Sequence, residues 1–202
     1  MFNSELTQKL SKLKTPFYFY DLDLLDKTIL SLKESLDTNY NVYYAIKANN
    51  NSKIIELIKN HDLGIDAVSS EEIKKSLNNS IKPKKIVFAG VGKTKDEIIF
   101  AIKKKIYLFN CESFDEISLI DKISNELNVR TKIAIRLNPN IDSRSHKYIK
   151  TGMFDSKFGI QIDHLAEILE KIKKFNHVDL KGYHFHLGSQ IDDLGVFRKL
   201  CK

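Results

Sequence analysis

The sequence is short of several things, and each shortage excludes a class of protein. It has two cysteines, Cys111 and Cys201. Two thiols are too few for a disulfide framework or a cysteine metal cluster, and they fit a reducing, cytoplasmic setting. No apolar run reaches the roughly eighteen residues of a membrane span. The start, Met1-Phe2-Asn3-Ser4-Glu5, has no basic flank followed by an apolar stretch, so no secretory signal is visible. Arginine is scarce as well. Arg130, Arg136, Arg144 and Arg198 are the whole supply, so lysine carries nearly all of the net charge of +7. Base readout and bidentate phosphate contacts favour arginine, so no nucleic-acid partner is expected. The clusters Lys103-Lys104-Lys105 and Lys171 with Lys173-Lys174 end helix-like runs, where cations complement the helix dipole.

Glycine is missing where two nucleotide motifs need it. Gly90-Val91-Gly92-Lys93-Thr94 has the ending of a phosphate-binding P-loop, but the first glycine of that motif falls on Val87. The third glycine of a dinucleotide fingerprint falls on Lys95. Neither nucleotide reading survives.

Present instead is a repeating strand–helix rhythm. The composition, 42% hydrophobic and 29% charged over 202 residues, is that of a globular chain with one sizeable core. Six apolar runs read as strands: Val42–Ile46, Gly64–Val68, Ile86–Ala89, Ile106–Phe109, Lys132–Leu137 and Leu180–Phe185. Helical spacing marks Leu24–Leu36, the run from Ser52 with Ile54, Ile55 and Ile58, and the run from Asp163 with Leu165, Ile168, Leu169 and Ile172. Ser69 with Glu72, Thr94 with Glu97, and Ser113 with Glu116 have capping-box spacing. Alternation of this kind means a parallel sheet covered by helices, in an open doubly wound sheet or a (β/α)₈ barrel. Barrel closure needs eight strands and about 250 residues, so six strands predict an incomplete barrel.

Several polar residues stand at the ends of these apolar runs. Val42-Tyr43-Tyr44-Ala45-Ile46 delivers Lys47, an amine that burial could turn into an imine-forming nucleophile. Asp66 ends the second run, and its bland alternative is a turn aspartate. Arg136 interrupts Ile133-Ala134-Ile135-Arg136-Leu137, where an unpaired cation is costly. His184 and His186 share one strand face and suggest a metal pair, as in a metal-dependent hydrolase, with His146 or Asp66 as a third ligand. Glu72 is sufficiently explained by its capping box. Asn138 to Phe158 shows no periodicity, and a segment of that kind directly after a barrel strand is usually functional.

Motifs in order along almost the whole chain carry a family resemblance. They are Thr15-Pro16-Phe17-Tyr18-Phe19-Tyr20-Asp21, Tyr44-Ala45-Ile46-Lys47-Ala48-Asn49, Asp66-Ala67-Val68-Ser69 with Glu72, and Val87-Phe88-Ala89-Gly90-Val91-Gly92-Lys93-Thr94. Then follow Arg136-Leu137-Asn138-Pro139, His146-x-Tyr148-Ile149-x-Thr151-Gly152, Lys157-Phe158-Gly159 and His184-Phe185-His186-Leu187-Gly188-Ser189-Gln190. The set resembles the diaminopimelate decarboxylase family, fold-type III enzymes that use pyridoxal 5′-phosphate (PLP), related to the ornithine, arginine and carboxynorspermidine decarboxylases. The resemblance implies an α/β fold, a (β/α)₈ barrel of which residues 21–202 are the incomplete first part. Residues 1–20 are expected as a strand or lead-in, and the C-terminal β-domain as absent. It implies decarboxylation of meso-2,6-diaminopimelate to L-lysine, no metal, a homodimer when full length, and no activity for these 202 residues alone. By the same resemblance Lys47 holds PLP covalently and His186 stacks on its ring. Ser189 helps hold the phosphate, Asp66 orients His186 or the attachment point, and Glu72 and Arg136 line the site.

Overall fold

The computed structural model describes residues 4–141, 158–189 and 191–201. The chain divides into two compact units, residues 1–40 and 41–202.

In the first unit, α1 spans Ser4–Leu10 and α2 spans Leu22–Glu34. The lead-in segment thus carries a helix, and no strand is found among its described residues. Local chemistry explains it: Glu5 and Lys9 form an i,i+4 ion pair at 2.7 Å, which supports a helix. The second helix starts two residues before the expected Leu24, because Asp21 caps it and accepts the Leu24 N–H at 2.9 Å.

The second unit is a seven-stranded parallel sheet. Its strands are β1 (Tyr43–Ala45), β2 (Gly64–Ala67), β3 (Ile86–Phe88), β4 (Leu108–Cys111), β5 (Thr131–Asn138), β6 (Ile160–Gln161) and β7 (Val178–His184). They pair in chain order from β1 to β6, and β7 also pairs with β5. Among the described residues β1 and β7 each pair on one side only. The sheet is therefore an open part of a (β/α) barrel. The two-residue strand β6 was not expected, being too short to show periodicity in sequence.

Helices α3 (Ser52–Asn60), α4 (Ser70–Asn78), α5 (Lys95–Lys103), α6 (Phe114–Glu126) and α7 (Leu165–Ile172) alternate with the strands, and α8 (Gly195–Leu200) follows β7. Only Thr94 and Glu97 form the full reciprocal capping box. In the other two boxes the serine caps as expected, but the glutamate reaches one residue further back: Glu72 accepts the N–H of Val68 at 2.7 Å and Glu116 that of Glu112 at 2.9 Å.

Strand register sorts the side chains into two faces, because partners in a parallel ladder point the same way. One face carries Ile65, Ala67, Ile86, Phe88, Phe109, Cys111, Ile133 and Ile135, none more than 1% exposed. Isoleucines of α3 to α6 are buried, with α4 packed on β2 and α6 on β4, β5 and β7. The opposite face, which would line the barrel's interior, holds Ala45, Asp66 and Val87 in one row, Asn110, Ala134 and Gly182 in another, and Arg136 beside His184. The apolar face builds the core, and the polar face builds the site. No helix among the described residues is long and apolar enough to cross a membrane.

Candidate active site

All seven strands are parallel, so their C-terminal ends share one edge, where barrel chemistry is found. Every described candidate reaches it. Asp66 closes the β1–β2 register opposite Ala45, two residues before Lys47. Arg136 pairs in register with His184. His186 and Ser189 follow β7 immediately.

Lys47 is not on a strand. It lies in a single 3₁₀ turn, Ile46–Ala48, that follows β1, and it is exposed. Ile46, fully buried, anchors the turn from the other side. The desolvated pocket expected for this amine is not supplied by the described residues. Tyr44 braces the exit of the turn by donating its hydroxyl to the Asn49 carbonyl at 3.0 Å.

Asp66 has the strongest electrostatic signature of the carboxylates. Burial pushes its carboxyl up to about 6; Lys47 and Lys93 pull it down and Glu72 pushes it up. Its Oδ1 is buried without a hydrogen-bond partner among the described residues. Of the two lysines that act on Asp66, Lys47 has the larger effect. Glu72 stands close enough to perturb Asp66 while its own carboxylate takes the Val68 N–H.

Both described site histidines, His184 and His186, are shifted toward the neutral form. Burial pushes His184 down to about 4, helped by Arg136, His186 and Lys93, and its Nδ1 is buried without a hydrogen-bond partner among the described residues. His186 is lowered by burial, then by Arg136 and Lys47, against an opposing pull from Glu112. Among the described residues, no group of three His, Cys, Asp or Glu side chains could hold a metal ion. His146 and the rest of its motif, through Gly152, lie outside the described residues, as does Lys157. Ser189 is exposed in the bend after Gly188.

Arg136 meets the expectation that a cation in an apolar strand must be paired. Its Nη1 donates to Glu112 Oε1 at 2.7 Å, with both side chains under 10% exposed. Sequence reading did not single out Glu112. Lys93, set aside with the failed P-loop, proves to be buried: its Nζ donates to the carbonyls of Gly90 at 2.7 Å and Asn110 at 2.8 Å and pairs with Glu116 at 2.8 Å. It thereby ties the ends of β3 and β4 together. The available signal was its place in the motif Val87-Phe88-Ala89-Gly90-Val91-Gly92-Lys93-Thr94.

Comparison with known proteins identifies the family. The chain is 40% identical over 181 residues to diaminopimelate decarboxylase of Campylobacter jejuni, an alignment of 89% of this chain and 45% of that protein. It is 42% identical over 195 residues to the Helicobacter pylori protein of the same name, covering 96% of this chain and 48% of the relative. A crystal structure of diaminopimelate decarboxylase from Helicobacter pylori complexed with L-lysine superposes with a TM-score of 0.90 at 39% identity, over 96% of this chain and 49% of that one. The chain thus spans about half the length of the relatives it matches. Residues 22–202 match the family model for the pyridoxal binding domain of pyridoxal-dependent decarboxylases, and with Lys47, Asp66, Arg136 and His186 gathered on one edge of a parallel sheet, the chain belongs to that family.

Proposed function

We propose that this chain supplies the lysine-bearing part of a PLP-dependent decarboxylase that converts meso-2,6-diaminopimelate to L-lysine and carbon dioxide. The observation that carries the proposal is the convergence of one amine, two neutral imidazoles, one guanidinium and one buried carboxyl on a single sheet edge. The names of the relatives, and the lysine in the Helicobacter pylori complex, support the substrate.

The residues fit the cofactor. Buried Asp66 Oδ1 and His184 Nδ1 lack hydrogen-bond partners among the described residues, and such atoms need one. A neutral imidazole presents a flat face to a ring without adding charge beside it. When bound, PLP supplies an electron sink for the pair left behind as the carboxylate departs. Lys47 would hold the cofactor through its amine, which stands exposed in the turn after β1. His186 would offer its imidazole face to the cofactor ring. Asp66 holds a proton near Lys47, since a carboxyl with a midpoint of about 6 exchanges one readily near neutral pH. Arg136 and Glu72 line the floor, and Ser189 helps hold the phosphate. The proposal includes a homodimer and a cytoplasmic setting; the free thiols Cys111 and Cys201 suit the latter.

The test is borohydride reduction of the full-length protein, digestion and peptide mass analysis. A pyridoxyl adduct on Lys47 is expected; an adduct elsewhere, or none, ends the reading. Carbon dioxide release from meso-diaminopimelate should exceed that from ornithine, arginine or carboxynorspermidine. Loss of activity with a chelator would instead favour the metal chemistry of His184 and His186. Light scattering reads the oligomeric state.

A further inference from the structure

We propose that Glu112 is a positioning residue: its buried carboxylate clamps the Arg136 guanidinium and the backbone at Gly159 together, fixing the cation that faces the two histidines. This rests on the proposed function for its activity readout alone.

Both oxygens of the carboxylate are committed. Oε1 accepts from Arg136 Nη1 at 2.7 Å, and Oε2 accepts from the Gly159 N–H at 3.1 Å. The two partners come from β5 and from the residue just before β6, so one side chain joins two elements that approach from different stretches of chain. The Phe158 ring covers the guanidinium, its centroid 5.2 Å from Cζ. Gly159 has φ +75, and a Cβ there would stand 3.0 Å from the Arg136 carbonyl oxygen and 3.2 Å from its Cγ. The backbone can approach this closely because that side chain is missing.

Glu112 is itself anchored. Its N–H donates to Glu116 Oε2 at 2.9 Å, and Glu116 Oε1 meets buried Lys93 at 2.8 Å. Two buried ion pairs therefore run in series beneath the C-terminal edge. Replacing one partner of such a pair leaves an uncompensated charge, so the arrangement holds only as a whole. Its functional output is the place of the Arg136 charge. His184 faces Arg136, His186 and Lys93, and His186 faces Arg136, Lys47 and Glu112.

The experiment compares Glu112→Gln, Arg136→Lys and the double variant in the full-length protein. For Glu112→Gln, kcat/KM is expected to fall about tenfold to a hundredfold, as when an outer support of a site residue is lost. The double variant should stay within about twofold of Arg136→Lys alone, because both act through one contact. Histidine NMR should show the His186 midpoint moving down, since a negative charge beside it is gone. Multiplying losses, or a parent-like kcat/KM with an unmoved His186, would overturn the proposal. Should Glu112→Gln fail to fold, Glu112→Asp keeps the charge but shortens the reach; parent-like kcat/KM there overturns the clamp equally. Absence of turnover in the parent defeats the proposed function, while the histidine titration of Glu112→Asp, which keeps the charge but shifts the guanidinium, still judges the clamp: an unmoved His186 midpoint there overturns it.

Discussion

The carboxylate of Glu97 joins the starts of two helices: Oε2 accepts the Thr94 N–H at 3.1 Å within its own capping box, and Oε1 accepts the Ser70 N–H of α4 at 2.9 Å. A feature that sequence reads as local is also a tertiary tie. Burial pushes the Glu97 carboxyl up, yet the N–H groups of Ser70 and Thr94 outweigh it and the net shift is downward. Glu97→Ala should therefore cost about 1–2 kcal/mol in urea denaturation, the upper range for a cap. A depressed carboxylate contributes stability that is present above its unfolded midpoint and lost as pH falls through the folded one. The difference between parent and Glu97→Ala should therefore shrink in acid. An equal difference at both pH values would show that the contact is not ionic.

Asp66 and His184 should act in opposite senses over one pH window. Asp66 is raised from 3.8 to about 6, so its favourable contribution is full below 3.8 and lost as pH rises through about 6. His184 is lowered from 6.5 to about 4, so its contribution is present above 6.5 and lost as pH falls through about 4. The two slopes offset in the parent. Asp66→Asn should leave a protein that weakens more steeply toward acid, and His184→Gln one that weakens less steeply, by up to about 3 kcal/mol across the window. Urea midpoints measured at several pH values check both signs; parallel curves for parent and variants would refute them.

Lys93→Met should destabilise by roughly 3–5 kcal/mol, because it strands Glu116 inside the fold. It also frees the carbonyls of Gly90 and Asn110 that Lys93 holds. Adding Glu116→Gln should recover part of the loss. Additive costs in the double variant would argue that the two side chains are energetically independent.

Gly64→Ala tests close approach. A Cβ there would stand 2.2 Å from Tyr43 Cδ1 and 2.9 Å from the Lys85 carbonyl oxygen. Tyr43 can swing away only by leaving its stack with Tyr107, at 6.5 Å between centroids. Overpacking of this kind costs about 1–3 kcal/mol, read as a lower thermal midpoint.

Much of the fold was legible in the sequence because buried parallel strands are continuously apolar and their helices keep a 3.6-residue stripe. Ile54, Ile55 and Ile58 announced α3, and Ile133 to Leu137 announced β5. Strand β6 was not legible, since two residues carry no period. The helix at Ser4–Leu10 was missed because its stabilising pair, Glu5 with Lys9, is local and its face is not buried.

The sequence by itself determined the alternation of strand and helix, the side of each helix that is buried, and the reactive side chains that stand after strands: Lys47, Asp66, Arg136 and His186. Tertiary structure decided which of these share a face and what holds them there. Glu112, Glu116 and Lys93 are ordinary surface-type residues in the sequence, and they become a buried paired network once β3, β4 and β5 lie side by side. The physical reason is that periodicity records only whether a position is buried, whereas the partner of a buried charge comes from another element, and only the packing of strands and helices fixes which one it meets.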